Sequence, residues 1–115
     1  MASERYAGVM SGTSLDGVDA VVADFGGGAI NVLGFATRPF AAGLKHDLLA
    51  LQVSGPDEIA VAARAANALA DLYALAIADA AAAAGVGLPE IAAAGVHGQT
   101  LRHRPDEGWT LQLSA

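Results

Sequence analysis

The chain has 115 residues, a formal net charge of −6 and no cysteine. Its length allows one domain with a buried core, and its six Lys and Arg residues provide no basic patch of the kind that binding to nucleic-acid phosphates requires. The lack of cysteine excludes disulfides, thiolate chemistry and cysteine metal sites.

The first predicted elements are two strands joined by a glycine-bounded loop. Tyr6 to Met10 has the apolar pattern of a short buried strand, and Val18 to Phe25 that of a longer strand rich in Val and Ala. The loop between them contains two hydroxyls and an acid, in the order Gly12-Thr13-Ser14-Leu15-Asp16-Gly17. The pattern predicts a β-hairpin with this loop at its tip.

The chemistry of this loop suits a phosphate group. Glycine lets a phosphate approach the backbone, successive N–H groups form a concave anion site, and Thr13 and Ser14 can donate hydrogen bonds. Phosphate would repel an acid unless a metal ion or a water lay between them, so Asp16 and Asp19 indicate a magnesium nucleotide. The loop matches neither the Walker nor the GxGxxG pattern, and an ordinary hairpin turn is the alternative.

A third strand and a short helix follow. Gly26-Gly27-Gly28 predicts a plain hairpin turn, and Ile30 to Arg38 a strand that Pro39 ends. Three such strands in succession form an antiparallel meander. A helix is predicted over Gly43 to Gln52. Its predicted apolar side consists of Leu44, Leu48, Leu49 and Leu51.

A long helix is predicted next, from the segment Ser54-Gly55-Pro56-Asp57-Glu58 to about Ala84, with Gly85 ending it. Ser54 would cap it, with Pro in the first turn and two acids facing the positive end of the helix dipole. Its charges argue against a membrane span, and no apolar signal core follows Arg5, which predicts a cytoplasmic protein. Steps of three and four predict one apolar stripe of Ile59, Ala62, Ala63, Ala66, Leu69, Ala70, Tyr73, Ile77 and Ala80.

A final buried strand leads into a second polar motif. Small and branched residues from Ile91 to Val96 predict a central, two-sided strand of a parallel layer. His97-Gly98-Gln99-Thr100 follows at its carboxyl end, where open α/β sheets place ligands. The last residues, Trp109 to Ala115, have the pattern of one more strand, and the lack of a closing turn or helix after it predicts a truncated chain.

The second motif has the groups needed to bind a sugar. Gly98 lets a ligand reach the backbone, and Gln99 and Thr100 have donors and acceptors suited to hydroxyls or an acetamido group. Arg102 can pair with a carboxylate through two hydrogen bonds. The alternatives are a core role for His97 and simple solvent exposure for Arg102.

Two motifs resemble a known family. The run Gly8 to Asp19 resembles the first phosphate loop of the anhydro-N-acetylmuramic acid kinases, bacterial enzymes of the actin, sugar kinase and Hsp70 superfamily. The run Val96 to Pro105 is similar to that family's other N-terminal signature, and Pro56-Asp57-Glu58-Ile59 between them also resembles it. The motifs have the family's order and roughly its spacing, so the resemblance covers essentially the whole chain.

The resemblance implies an α/β fold, namely a ribonuclease-H-like (actin-like ATPase) lobe. Such a lobe opens with a three-stranded antiparallel meander, followed by helices and further strands of a mixed sheet. Family members are several times longer and have two lobes with the active site between them. Residues 1–115 are therefore expected to be the N-terminal lobe of a two-lobed sugar kinase, truncated after it.

The resemblance also implies an activity. The family converts 1,6-anhydro-N-acetylmuramic acid, ATP and water into N-acetylmuramic acid 6-phosphate and ADP during recycling of cell-wall fragments. It implies ATP and Mg²⁺ as cofactors. Asp16 and Asp19 are the magnesium ligands that the residue chemistry indicates, and the chain departs from the wider superfamily in having Ser11 where an aspartate is usual. The nucleotide-binding residues would be Gly12, Thr13, Ser14, Leu15, Asp16, Gly17, Val18 and Asp19. The substrate-binding residues would be His97, Gly98, Gln99, Thr100 and Arg102.

No catalytic residue is assigned in this chain. The family's base is an aspartate in a motif that lies beyond this region, and no aspartate here matches it, so the chain alone is expected to be inactive. The alternatives are a lobe of another sugar or carboxylate kinase of the superfamily and a non-catalytic binding or assembly module. An amino sugar and ATP are the expected partners, without nucleic acid or membrane. Exposed strand edges and an uncovered sheet face favour a homodimer.

Overall fold

The computed structural model describes residues 4–11 and 15–114. They form an α/β structure with two single 3₁₀ turns, one at Leu88–Glu90 before the fourth strand and one at Pro105–Glu107 between the last two strands. The helices and strands are β1 (Arg5–Ser11), β2 (Gly17–Asp24), β3 (Asn31–Pro39), α1 (Ala42–Ala50), α2 (Glu58–Ala84), β4 (Ala93–Val96), β5 (Gln99–Arg104) and β6 (Trp109–Leu113).

The first four strands form one mixed sheet in the order β3-β2-β1-β4. β1 and β2 are antiparallel, with Tyr6 opposite Ala23 and Ser11 opposite Val18, and β3 is antiparallel to β2. β4 lies parallel to β1. The predicted meander, the parallel strand after the long helix and the mixed sheet are therefore confirmed.

Helix α2 covers one face of this sheet and contacts β2 and β3 more extensively than β1. Gly34 of β3 lies so close beneath the helix that a Cβ atom there would overlap the carbonyl oxygen of Ala80. Small residues thus bring the helix and sheet backbones together. The core between them includes Ala7, Val9, Val18, Ala20, Val22, Leu69, Tyr73, Ala76 and Ala80.

The two ends of α2 differ in how well the sequence predicts them. The predicted cap at Ser54 is wrong, because the helix begins at Glu58 after Asp57, whose φ is 57° and whose side chain makes no capping bond. Pro56 disfavours helical backbone at the residue before it, and Glu58 accepts a hydrogen bond from the Gly55 N–H at 3.2 Å. Gly85 ends the helix as predicted, with a φ of 68°.

The predicted apolar stripe of α2 is correct in the middle and wrong at the start. Leu69 and Tyr73 are buried, but Ile59 is 85% exposed. The first turns lie beside α1, where Arg64 pairs with Asp47 at 3.2 Å, and not against the sheet. Ala65, Ala76 and Ala81 are buried although the stripe did not include them. Leu48 of α1 and Leu51, directly after this helix, are buried, whereas the predicted burial of Leu49 is wrong, since it is 49% exposed.

Helix α2 is long and apolar enough, by length and composition, to cross a membrane. The charges of α2 were predicted to exclude a membrane span, and by length and composition alone they do not exclude it. Its packing against the sheet is nevertheless that of a core helix, a kind of helix that passes the same test.

β4 is an edge strand, and the prediction that it is central was wrong. All four of its residues are exposed, and no further strand among the described residues pairs with its outer edge. The sheet face opposite α2, which we call the open face, exposes Tyr6, Met10 and Phe35. Neither described helix packs on this face.

β5 and β6 form a separate two-stranded antiparallel sheet. The final strand was predicted, but β5 was not, since Arg102 to Arg104 had the polarity of an exposed turn. Arg104 lies over the Trp109 ring, with 5.9 Å from the guanidinium carbon to the ring centroid. This contact joins the strands at the 3₁₀ turn that connects them.

Candidate functional site

The loop between β1 and β2 is the first half of the candidate site. Its predicted phosphate ligands Gly12, Thr13 and Ser14 lie outside the described residues. Leu15 follows them with a φ of 56° and is only 3% exposed. The left-handed backbone costs a residue other than glycine about 1–2 kcal/mol, whereas burying a leucine gains about 1.5–3 kcal/mol. Leu15 thus anchors the loop in the core.

The second half of the loop is fixed to the end of β3. The Phe40 N–H donates to the Asp16 carbonyl oxygen at 3.1 Å. A Cβ atom on Gly17 would overlap the carbonyl oxygen of Arg38, so glycine is needed for this close approach. Val18 is fully buried, which makes it a core residue and leaves the neighbouring acids to face solvent.

Asp16 and Asp19 are both exposed and line one cleft with Thr37 and Arg38. The described residues place no third His, Asp or Glu beside them to complete a metal-binding cluster. Mg²⁺ usually keeps several waters and is held by one or two carboxylates together with substrate phosphates. The two carboxylates therefore fit a magnesium ion that arrives with a phosphate ligand.

The turn between β4 and β5 is the second half of the candidate site. The His97 N–H donates to the Val9 carbonyl oxygen at 3.1 Å, which continues the pairing of β4 with β1. Gly98 has a φ of 82°, and a Cβ atom there would lie 2.9 Å from the Leu113 carbonyl oxygen. The left-handed backbone and the close contact with β6 both require glycine.

The predicted substrate residues of this turn differ in exposure. His97 is exposed, and its Nδ1 atom lies 3.2 Å from the Gly98 carbonyl oxygen. Gln99 is fully buried; its Nε2 donates to the Thr100 carbonyl oxygen at 3.2 Å, and its Oε1 has no hydrogen-bond partner in the described part of the chain. The Thr100 hydroxyl donates to Gln112 Oε1. Only His97 presents its side chain openly to a ligand.

Arg102 is bound to the connection between the two helices. Its guanidinium donates to the Leu51 and Val53 carbonyl oxygens, each at 3.0 Å, and pairs with Glu58 at 2.7 Å. The hydrogen bond from Arg102 is the main cause that lowers the pKa of Glu58. A substrate carboxylate would have to compete with Glu58 for this guanidinium.

The structure brings the two motifs together at one edge of the sheet. Ser11 ends β1, and its Oγ donates to the Gly98 carbonyl oxygen at 3.3 Å. The Tyr73 hydroxyl lies 3.1 Å from the same Oγ. Sequence patterns did not associate Tyr73 with the site; the available signal was one hydroxyl within an otherwise apolar stripe.

A groove of about 510 Å³ on the open face adjoins this edge, and Asp19 and His97 provide its ionisable side chains. In open α/β sheets, ligands bind at the carboxyl ends of parallel strands, and β1 and β4 are such a pair. Fold and site thus define an α/β protein with a candidate ligand site at the ends of β1 and β4. The first of its two loops suits phosphate.

The family model of anhydro-N-acetylmuramic acid kinase matches residues 4–115. The chain belongs to this family, which confirms the resemblance of its motifs. The anhydro-N-acetylmuramic acid kinase of Variovorax paradoxus (strain S110) is 49% identical over 118 residues, which cover 99% of this chain and 32% of the relative.

Two further relatives have the same name. The one from Albidiferax ferrireducens is 47% identical over 97% of this chain and 30% of its own length. The one from Bordetella pertussis is 48% identical over 96% of this chain and 29% of its own length. The chain thus spans about a third of the length of the curated relatives that it matches.

Proposed function

We propose that this chain is the N-terminal, ribonuclease-H-like lobe of a cytoplasmic anhydro-N-acetylmuramic acid kinase that acts in cell-wall recycling. The reaction joins hydrolysis and phosphoryl transfer. Water adds to the anomeric carbon of 1,6-anhydro-N-acetylmuramic acid, the 1,6-anhydro bridge opens, and the freed O6 takes the γ-phosphoryl of ATP. The products are N-acetylmuramic acid 6-phosphate and ADP.

The observation that supports this proposal is the meeting of the two motifs at the Ser11–Gly98 hydrogen bond. A kinase must hold two substrates with their reacting atoms close together. A phosphate loop on β1 and a sugar-binding turn on β4 are adjacent because these strands are parallel neighbours. Relatives that share this region are named as kinases of the anhydro sugar.

Residues 12–19 are assigned to the phosphates of ATP in this proposal. Backbone N–H groups and the Thr13 and Ser14 hydroxyls would donate to phosphate oxygens, while Asp16 and Asp19 would hold Mg²⁺. A bound magnesium ion would neutralise charge on the transferring phosphoryl group. Leu15, Gly17 and Val18 would act indirectly, because they fix the loop backbone to the core and to β3.

The sugar is assigned to His97–Thr100 and Arg102. The exposed His97 side chain on the groove is the best-placed contact, and Gly98 would offer its backbone. Gln99 and Thr100 are engaged within the protein and would support the turn from inside. The base that activates water is not assigned to any residue of this chain, so the chain alone should form no product.

An exchange of segments tests the proposal. The matching region of the Variovorax paradoxus kinase, to which this chain is 49% identical, is replaced by this chain. We expect release of ADP that depends on the anhydro sugar and formation of a sugar phosphate. A folded chimera that binds ATP but phosphorylates only another sugar or a carboxylate would contradict the substrate assignment.

Single substitutions in the chimera test the magnesium ligands. We expect Asp16→Asn or Asp19→Asn to lower kcat by at least about tenfold, because a charge-assisted contact to the metal is lost. Asp71→Asn is the matched control, since Asp71 is exposed on α2 and outside both motifs. Equal activity of all three variants would contradict the assignment of Asp16 and Asp19 as magnesium ligands.

A further inference from the structure

Tyr73 provides a polar contact from the buried side of α2 to both halves of the candidate site. It is 5% exposed, and Ser11 is 4% exposed. The Tyr73 hydroxyl lies 3.1 Å from Ser11 Oγ, and Ser11 Oγ lies 3.3 Å from the Gly98 carbonyl oxygen. One buried chain of hydrogen bonds thus joins a helix and the two motifs.

The chemistry of the groups fixes the direction of these hydrogen bonds. The carbonyl oxygen of Gly98 only accepts, so the single hydroxyl hydrogen of Ser11 is donated to it. Tyr73 must then donate to Ser11 Oγ. Tyrosine hydroxyls are protonated at neutral pH, and burial raises the pKa of Tyr73 further, so its hydroxyl is able to donate.

The connection matters because β4 is weakly held. It has four residues, lies at the edge of the sheet and pairs with β1 alone in the described structure. The turn that follows it includes Gly98, while the phosphate loop starts directly after Ser11. The hydrogen bond between Ser11 and Gly98, together with that from the His97 N–H to the Val9 carbonyl oxygen, therefore holds the turn beside the start of the loop.

We propose that Tyr73 is a positioning residue that holds Ser11, and through it the Gly98 turn, in the arrangement that both ligands require. The assignment of ligands rests on the function proposed above. The hydrogen-bonded connection itself does not depend on that function. Tyr73 contacts no substrate in this proposal and acts through Ser11.

The test compares two tyrosine variants of the full 115-residue chain. Tyr73→Phe removes the hydroxyl and keeps the ring in the core. Tyr6→Phe is the matched control, because Tyr6 lies on the open face and is 38% exposed. Amide chemical shifts and hydrogen exchange at Ser11, Gly98 and Gln99 are measured by NMR, and affinity for magnesium ATP is measured by titration.

We expect Tyr73→Phe to shift and deprotect the amides around both Ser11 and Gly98, although these residues are 87 positions apart in sequence. We also expect its affinity for magnesium ATP to fall about threefold to tenfold, the effect of one lost hydrogen bond. Tyr6→Phe should change neither property. Unmoved resonances at Gly98 and Gln99 in Tyr73→Phe would overturn the proposal.

A double-mutant cycle with Ser11→Ala separates positioning from a purely structural loss. If Tyr73 acts through Ser11, the losses of affinity in Tyr73→Phe and Ser11→Ala are not additive in the double variant. Additive losses, or a general fall in thermal midpoint without a change in affinity, would overturn the positioning role. If the wild-type chain, as one lobe, binds no magnesium ATP, affinity is measured in the chimera with the same substitutions, and the amide data decide whether Tyr73 connects the motifs. A chimera that binds no magnesium ATP would contradict the proposed nucleotide site.

Discussion

Leu15 has an unfavourable backbone conformation, but its side chain is favourably buried. Its φ of 56° lies in the left-handed region, where a Cβ atom is strained, and its side chain belongs to the main core cluster. One buried residue, Ser11, thus precedes the loop that is proposed to hold phosphate, and a second, Leu15, lies within it.

At Leu15 we expect the glycine variant to be more stable than the alanine variant, which is the reverse of the usual order. We expect Leu15→Ala to lower the free energy of unfolding by about 2–4 kcal/mol, as for other leucines truncated in a core. Leu15→Gly should lose about 1 kcal/mol less, because glycine removes the left-handed strain. Urea denaturation measures both variants. A glycine variant less stable than the alanine variant would show that the strain is absent.

At the scale of elements, the closest packing is between α2 and β3. A Cβ atom at Gly34 would overlap backbone and side-chain atoms of Ala80 and Ala84. The helix would have to move away from the sheet, and overpacking of this kind costs about 1–3 kcal/mol. The position of α2 over β3 therefore depends on Gly34 having no side chain.

We expect Gly34→Ala to lower the thermal midpoint by several degrees, since about 1 kcal/mol corresponds to about 4–8 °C in a domain of this size. Gly95→Ala in β4 is the control, because no atom lies within 4 Å of a Cβ added there. Calorimetry measures both. Equal midpoints for the two variants would mean that α2 can shift over β3 without loss.

Arg102 connects the β5–β6 hairpin to the segment between α1 and α2. Its hydrogen bond lowers the pKa of Glu58 below the ordinary value of 4.5. A carboxylate with a lowered pKa stabilises the folded state fully above its unfolded pKa, and this contribution is lost as the pH falls through the folded pKa. The pair should therefore stabilise the chain at neutral pH and not in acid.

The pH dependence of thermal unfolding tests this pair. We expect the midpoint to fall between about pH 5 and pH 3 in the wild type, and to fall less steeply in Glu58→Gln. Arg102→Met should flatten the curve in the same way, and the double variant should add nothing further. A Glu58→Gln curve parallel to that of the wild type would show that the ion pair makes no net contribution.

The whole molecule has helices on one side of its sheet and an apolar surface on the other. Its radius of gyration is 15.9 Å, above the value of about 13 Å typical for a compact chain of about 100 residues. Proteins associate through contiguous exposed apolar surfaces such as the open face. The open face is consequently the surface that we propose for association with a second copy or another polypeptide.

A hydrophobic dye such as ANS measures the open face directly. We expect Phe35→Lys to lower dye fluorescence, because Phe35 is 58% exposed among other apolar residues of that face. Leu75→Lys is the matched control, since Leu75 is exposed on α2, on the other side of the sheet. Equal loss of fluorescence in both variants would mean that the dye does not distinguish the open face.

The sequence by itself determined the features that depend on neighbouring residues. Alternating apolar residues and glycine turns specify the β1–β2–β3 meander, and Gly85 specifies the end of α2. The two motifs specified the family, and they indicated the strand ends at which we propose a ligand site. Such local patterns act through backbone propensity and turn geometry, which do not depend on distant residues.

Only the tertiary structure decided which surfaces and side chains meet. Ile91 to Val96 has the composition of a central strand, but the strand order places β4 at an edge. Arg102 has the sequence context of a free cation, yet its partners Leu51 and Glu58 are 51 and 44 residues away. Tyr73 joins Ser11 across 62 residues. Contacts at such separations depend on how helices and strands pack. The polarity pattern of the sequence indicates whether a side chain is buried, but not which residue it contacts.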